Sequence, residues 1–307
     1  MSAGWVAGST RARLLLDRRL GADQARSLAE AGSLSNAALA LAGTRFGQVA
    51  GSASELEEAQ RAVAASFLLE LRLLAGWLPI GAGELVRSLG AWFELVNVED
   101  RLAYLLGGEL RTPLTVGALG SAWPRAAAAE TPAELREALR ASAWGDTRGE
   151  RADTIHFALR LAWALRVYAS APETRAWVAG AVAILVAREL FVSGRPVEPG
   201  PSPVLRDLGP AWSEKRTLAE FTEALPPRAA WPLAGLTDPR DLWRAEIGWW
   251  RRVARDAELL VRESREGRAV VVGSVALLAL DAVQVSAALA VAARPSAAAA
   301  EAFGALL

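Results

Sequence analysis

The sequence contains one histidine, His156, and the residues around it decide whether a metal site is possible. Asp153 precedes it by three positions and Arg160 follows it by four, so all three would share one face of a helix. A zinc site normally needs three or four protein ligands, and one histidine with one carboxylate falls short of that. The spacing favours a helix histidine over a ligand, and we predict no metal site.

Nucleophilic and phosphate-binding motifs are also missing. No second histidine can complete a Ser-His-Asp arrangement, the chain has no cysteine, and no G-x-S-x-G turn occurs. Gly81-Ala82-Gly83 resembles the start of a glycine fingerprint, but it follows a helix predicted to end at Pro79, with no strand before it. We therefore predict a turn there, and no nucleotide site.

Carboxylates cluster at Glu99-Asp100 and at Glu55, Glu57 and Glu58, where the pattern indicates helix ends or exposed faces. The D-D-x-x-D helix of all-helical diphosphate enzymes is absent. The sequence thus predicts no catalytic residue, no cofactor and no small-molecule substrate, so we do not expect an enzyme. A structural role is favoured.

Composition narrows the class of protein further. Lys+Arg and Asp+Glu balance at 34 each, which removes the basic excess typical of nucleic-acid binders. Apolar residues make up 52% and charged residues 22%, as in a packed globular chain. The stretch from Met1 to Arg19 lacks the layout of a secretory signal, so we expect a cytoplasmic protein.

Signals for helices recur along the chain. Ser or Thr precedes Glu by three residues, the pattern of a capping box, at Ser54/Glu57, Thr131/Glu134, Ser170/Glu173 and Thr217/Glu220. Between Ser54 and Pro79 the apolar residues keep helical spacing. After Asp238 two apolar stripes and one polar stripe predict a helix that buries two faces. Alternating runs bounded by hairpin turns are missing, so the predicted class is all-α.

Nine of the 15 prolines lie between Pro196 and Pro239, and the segment from Gly194 to Pro210 is predicted to be a stiff connector without a helix. Three mostly apolar segments of similar layout also recur along the chain. They are Trp92 to Gly108, Arg175 to Arg195 and Ser274 to Arg294. We therefore predict three similar helical units: residues 1–110, residues 111–196 and, after the connector, residues 197–307.

The run from Ala269 to Ala293 is long and apolar enough to span a bilayer, with Asp281 and Gln284 inside it. In a span Asp281 would be an ion or proton site. A buried core helix is the favoured interpretation, because a charge near the middle of a membrane costs a few kcal/mol. We expect a protein without a transmembrane span.

Several segments resemble the C/d family of V-type and A-type rotary ATPases, the central-stalk couplers of those machines. Trp5 and the segment Ser9 to Arg13, followed by three leucines, resemble the family's aromatic residue and N-A-R-V-R-like helix start. Thr44-Arg45-Phe46-Gly47 resembles its T-x-Y-G hairpin end. Asn97 to Leu102 resembles the first copy of its recurring D-x-x-N-L-R helix, with acid and amide exchanged.

The second and third copies of that helix resemble Arg175 to Gly194 and Ser274 to Arg294. Arg188 is kept, but Ala183 and Val186 stand at the acid and amide positions of the second copy. The resemblance covers nearly the whole chain and runs in the same order. Because these polar residues differ, the family's contact residues are not transferred to this chain.

The resemblance implies a funnel of three helical units around a pseudo-threefold axis. It also implies a non-catalytic central-stalk protein, peripheral on the cytoplasmic face of the membrane, which couples the axle subunits of the soluble head to the proteolipid ring in proton or sodium transport. Candidate interface residues are Arg11, Arg13, Asn97, Glu99 and Asp100. For each of them, capping a helix or pairing on the surface is the alternative.

Two other classes of protein stay open. One is a membrane-anchored helical protein whose single span carries Asp281. The other is a stand-alone helical ligand-binding or regulatory domain, in which some of the 12 tryptophans line a pocket.

Overall fold

The computed structural model describes residues 3–52, 55–147, 151–200 and 202–307, and every regular element in these ranges is helical. The all-α prediction is therefore confirmed for the described chain. The α-helices are α1 (Ala3–Leu16), α2 (Gly21–Ala29), α3 (Leu34–Ala40), α4 (Leu56–Ala75), α5 (Gly83–Leu105), α6 (Trp123–Ala128), α7 (Pro132–Arg140), α8 (Ala152–Ser170), α9 (Arg175–Phe191), α10 (Pro203–Arg206), α11 (Leu218–Ala224), α12 (Pro227–Ala230), α13 (Leu242–Glu263), α14 (Arg268–Ala293) and α15 (Ala297–Leu306). Short 3₁₀ helices lie at Gly47–Ser52, Ile80–Ala82, Gly117–Leu119, Pro172–Thr174 and Pro239–Asp241.

The predicted helix starts agree with the structure at two of the four capping boxes. Thr217 and Glu220 form a reciprocal box at α11, and Thr131 caps α7 through the backbone N–H of Glu134. The prediction at Ser170 is wrong, because Ser170 ends α8 and its hydroxyl donates to the carbonyl of Arg166. The box at Ser54 lies outside the described residues.

The described chain forms two compact units, each built from segments that are distant in sequence. Unit 1 contains the described residues of Met1–Val86, Leu114–Gly117 and Trp250–Leu307, and unit 2 those of Arg87–Pro113 and Ala118–Trp249. The predicted boundaries after residues 110 and 196 both fall within unit 2. The division into three similar units stays a prediction.

The core of unit 1 is built around α14. This helix packs against α1, α2, α3, α4 and α15. No residue between Ala269 and Ala293 is exposed, which explains why the helix is apolar on all sides. Asp281 and Gln284, the two residues singled out in the predicted span, are both buried, and the side-chain amide of Gln284 donates to the carbonyl of Leu306 at 3.4 Å.

The core of unit 2 has α5 at its centre. Leu95, Val98 and Leu102 on α5 pack with Leu135 and Leu139 on α7 and with Ile155 and Leu159 on α8. In the same unit α9 packs against α8, α11 and α12. The proline-rich segment differs from the prediction, because it contains the short helix α10, whose Val204 and Leu205 are buried in this unit.

Two helix interiors contain a glycine in contrasting surroundings. A Cβ at Gly180 in α9 would lie 2.8 Å from the ring of Trp231 and 2.9 Å from Pro232, whereas a Cβ at Gly248 in α13 would meet no atom within 4 Å. Glycine is therefore required by packing at the first position and not at the second.

We expect Gly180→Ala to lower the free energy of unfolding by about 1–3 kcal/mol, because the added methyl group overpacks a filled core. Gly248→Ala is the matched control and should raise it by about 0.5–1 kcal/mol, the gain in helix propensity. Urea denaturation followed by circular dichroism measures both. Equal effects of the two variants would contradict the close packing of α9 against Trp231 and Pro232.

Candidate functional site

A deeply buried charged cluster lies in unit 1, where Arg45 bridges two carboxylates. Its Nε donates to Oε1 of Glu70 at 3.0 Å, and its Nη2 contacts Oε2 of the same side chain. Its Nη1 donates to Oδ2 of Asp281 at 2.9 Å. The side chains of Arg45 and Asp281 are 1% and 3% exposed, so this ion pair is shielded from water. The arginine thereby ties α4 to α14.

Asp281 has a second function in this cluster. Its carboxylate accepts hydrogen bonds from the backbone N–H of Gly21 at 2.9 Å and of Leu20 at 3.3 Å, where α2 begins. The first N–H groups of a helix have no partner inside the helix and carry a partial positive charge. Asp281 therefore fixes the start of α2 on α14, and its full set of partners explains why a carboxylate is tolerated in this apolar helix.

The segment Thr44-Arg45-Phe46-Gly47 forms the turn that aims the arginine inward. The hydroxyl of Thr44 donates to the carbonyl of Leu41 at 2.8 Å and accepts from the N–H of Phe46 at 3.1 Å. Phe46 is fully buried, and its ring lies 4.5 Å from the guanidinium carbon of Arg45. Burial raises the pKa of Glu70, and the charge and hydrogen bond of Arg45 oppose that rise.

Another buried carboxylate, Glu94 on α5, organises part of unit 2. Its Oε1 accepts from the backbone N–H groups of Ser121, Ala122 and Trp123 at 2.6, 2.6 and 2.7 Å. Its Oε2 accepts from the hydroxyl of Ser121 at 3.0 Å and from the indole N–H of Trp144 at 2.9 Å. Glu94 is fully buried. Five donors thus surround one carboxylate, which holds the start of α6 against α5.

The candidate interface residues on α1 differ in their surroundings. Arg13 caps the end of α13, since its guanidinium donates to the carbonyls of Val261, Ser264 and Arg265 at 3.0, 2.6 and 2.7 Å. Arg11 is half-buried, and its Nε has no hydrogen-bond partner among the described residues. Arg13 therefore caps a helix, which was the alternative to a role in a partner interface.

The candidate interface residues on α5 lie on two sides of that helix. Asn97 is fully buried, and it lines a cavity of about 120 Å³ together with Asp100, whose carboxylate pairs with Arg111 at 3.1 Å. Glu99 pairs with Arg160 of α8 at 2.8 Å. Arg11 and Arg13 belong to unit 1, whereas Asn97, Glu99 and Asp100 belong to unit 2. Their role as contacts for a partner stays a prediction.

The titrating behaviour of Glu99 follows from its position between α5 and α8. Burial raises the pKa of Glu99 to about 7, against the opposing charge of Arg160. Burial and the same arginine lower the pKa of His156.

Asp153, which precedes His156 on α8, pairs with Arg151 and Arg195. The hydrogen bond from Arg151 is the main cause that lowers the pKa of Asp153 to about 2. No group of three or more metal-ligating side chains occurs among the described residues.

Arg45, Glu70 and Glu94 were missed by the reasoning from sequence. Glu70 lies between Phe67 and Leu74 on the apolar face of α4, and Glu94 lies beside Leu95 on that of α5. A carboxylate on an apolar helix face needs buried partners. A carboxylate on the apolar face of a helix was therefore the signal that the sequence offered. It does not identify which arginine or which N–H groups are the partners of that carboxylate.

The comparisons with known proteins give no independent support for a family. Neither the scan against family models nor the search of curated proteins found a match. By length and composition alone, one helix among the described residues, Arg268–Ala293, is apolar enough to cross a membrane. Just over half of its most apolar window, 56%, is buried inside the fold.

We expect Arg45→Met to lower the free energy of unfolding by about 3–5 kcal/mol, because it leaves two buried carboxylates without their cation. Adding Glu70→Gln and Asp281→Asn should recover part of that loss. The matched control is Arg136→Met, which removes a half-exposed pair with Asp146 and should cost about 1 kcal/mol or less. Chemical denaturation of the four proteins tests this, and equal losses in the two arginine variants would contradict it.

The raised pKa of Glu99 predicts a dependence of stability on pH. The folded state binds this proton more tightly than the unfolded state, so stability from this group is lost as pH rises from 4.5 to about 7. The loss is at most about 1.4 kcal/mol for each pH unit.

The free energy of unfolding of Glu99→Gln should therefore rise relative to that of the wild type as the pH is raised from 5 to 8. Urea denaturation at pH 5 and at pH 8 measures this difference. Glu137→Gln is the control. Glu137 is exposed and its pKa is lowered, so it should not change the pH dependence in this range. Parallel pH curves for wild type and Glu99→Gln would contradict the assignment.

Proposed function

We propose that this chain is a non-catalytic central-stalk subunit of a rotary V-type or A-type ATPase. In this proposal it couples the axle of the soluble head to the proteolipid ring, peripheral on the cytoplasmic face of the membrane. The sequence resemblance suggests the assignment. The structure supports the assignment through the way in which distant segments of the chain pack together.

The observation that carries the proposal is the packing of α14 against α1, α2, α3 and α4. The first of the three predicted units contains α1 to α4, and the third contains α14. In an open linear array the first and third units would not share a core. A closed arrangement would bring the first and third units into contact, and the packing of α14 against α1 to α4 is compatible with such a contact.

The three predicted repeat segments also agree with the helices. They fall largely on α5, α9 and α14, which have 23, 17 and 26 residues. A part that transmits torque must resist deformation, and long helices with dense cores supply such stiffness. Buried ion pairs such as Arg45 with Asp281 add directional constraints to that packing.

The single-span alternative receives less support. In that interpretation α14 would face lipid and Asp281 would lie near its middle. In the fold, Asp281 pairs with Arg45 and caps α2, so exposing α14 to lipid would break both contacts. Insertion would also leave the apolar sides of α1, α2 and α4 without their partner.

A pull-down with purified axle subunits and with the proteolipid ring tests the proposal. We expect the full chain to bind at least one of them, and binding to neither would contradict the assignment. Asp100→Arg should weaken binding to the axle about tenfold or more if Asp100 lies in the contact, since it reverses a charge there. Asp146→Arg, a half-exposed carboxylate in the same unit, is the control for a general charge effect.

A further inference from the structure

An exposed row of large apolar side chains runs along α4 and past its end. Leu69, Leu73 and Trp77 are 42%, 47% and 53% exposed, and Ile80, in the turn that follows, is 102% exposed. We call these four residues the apolar tip. Residues four apart share one face of a helix, so Leu69 and Leu73 lie on one side of α4, and Trp77 and Ile80 follow in the turn after its end.

The apolar tip is held in place by close packing with α1. A Cβ at Gly4 would lie 3.0–3.1 Å from Pro79, and one at Gly8 would lie 2.3 Å from the side chain of Leu78. Both glycines therefore allow the backbone of α1 to approach the turn that carries Ile80. The exposure of Ile80 thus belongs to an ordered, protruding turn, and no part of the described chain fully covers the four side chains.

The chemistry around the apolar tip fits a lipid surface. From Leu69 to Gly83 the charged residues are Arg72 and Glu70, and Glu70 is buried and bonded to Arg45, so no exposed carboxylate lies in this segment. Anionic headgroups would therefore meet no repelling acid within this segment. Trp77 has an apolar ring with an N–H donor, the combination that favours the boundary between headgroups and acyl chains. Ile80 is the most exposed of the four side chains, which makes it the best placed to enter such a boundary.

We propose that the apolar tip inserts into the interfacial region of a lipid bilayer. A second copy of this chain is a poorer occupant, since a stable protein interface takes about 20–30 residues from each side and this row offers four. The inference extends beyond the proposed function, because lipid contact needs neither axle nor ring. Vesicle binding and the pull-down can therefore fail independently.

The chain has no cysteine, so a single introduced cysteine carries a unique label. We would prepare Ile80→Cys and, as the matched control, Leu39→Cys, each labelled with an environment-sensitive nitrobenzoxadiazole dye. Leu39 is a 64% exposed leucine of the same unit, on α3. The probe is vesicles of phosphatidylcholine with phosphatidylglycerol, added to the full chain. The expected result is a blue shift and gain of intensity at position 80 but not at position 39.

A second measurement uses unlabelled protein and flotation with the same vesicles. Trp77→Ser combined with Ile80→Ser should lower the partition coefficient about tenfold or more, because it removes most of the inserting apolar area. Leu39→Ser should leave it unchanged, and far-UV circular dichroism would verify that both variants keep the helical fold.

Three outcomes would overturn the proposal. The first is no spectral change at position 80 at saturating lipid. The second is an equal change at positions 39 and 80, which indicates adsorption without the apolar tip. The third is a change at position 80 that needs no lipid and grows with protein concentration, which identifies a second copy as the occupant.

Discussion

The ion cluster of Arg45, Glu70 and Asp281 is the constraint on which unit 1 depends. An arginine and two carboxylates withdrawn from water are costly, and the cost is offset only when their geometry and hydrogen bonds are complete. Arg45 and Asp281 are 236 positions apart in sequence, so this contact forms only when the two ends of the chain share one core. The cluster selects one register, because each hydrogen bond has a direction.

Unit 2 uses the same physical device with a different set of donors. Glu94 accepts from three backbone N–H groups, a hydroxyl and an indole, and no arginine is needed. Both Glu94 and Asp281 lie on long central helices and collect the free N–H groups where a shorter helix begins. Buried carboxylates therefore determine where α2 and α6 attach. In a chain with so many apolar surfaces, such polar contacts are a means of selecting one arrangement from several similar ones.

The helices could be predicted from local patterns, whereas the buried cluster could not. The apolar stripe of α4 follows from residue spacing and agrees with the structure. The capping pattern failed at Ser170, because it describes neighbours in sequence and does not reveal where the preceding helix stops. The candidate interface residues were chosen for their polarity, yet Asn97 is fully buried and Arg13 caps α13. A polar residue signals a need for hydrogen bonds and not the identity of the partner, which is distant in sequence.

The position of α14 as the buried core helix of unit 1 is the central physical claim. Its apolar surface, its burial beneath five neighbouring helices and the ion pair of Asp281 all follow from that position. Amide hydrogen exchange on the full chain in detergent-free buffer tests the claim directly. We expect the amides between Val271 and Leu289 to be among the slowest to exchange, together with that of Gly21. Fast exchange of α14 in buffer, with protection only after vesicles are added, would contradict the claim.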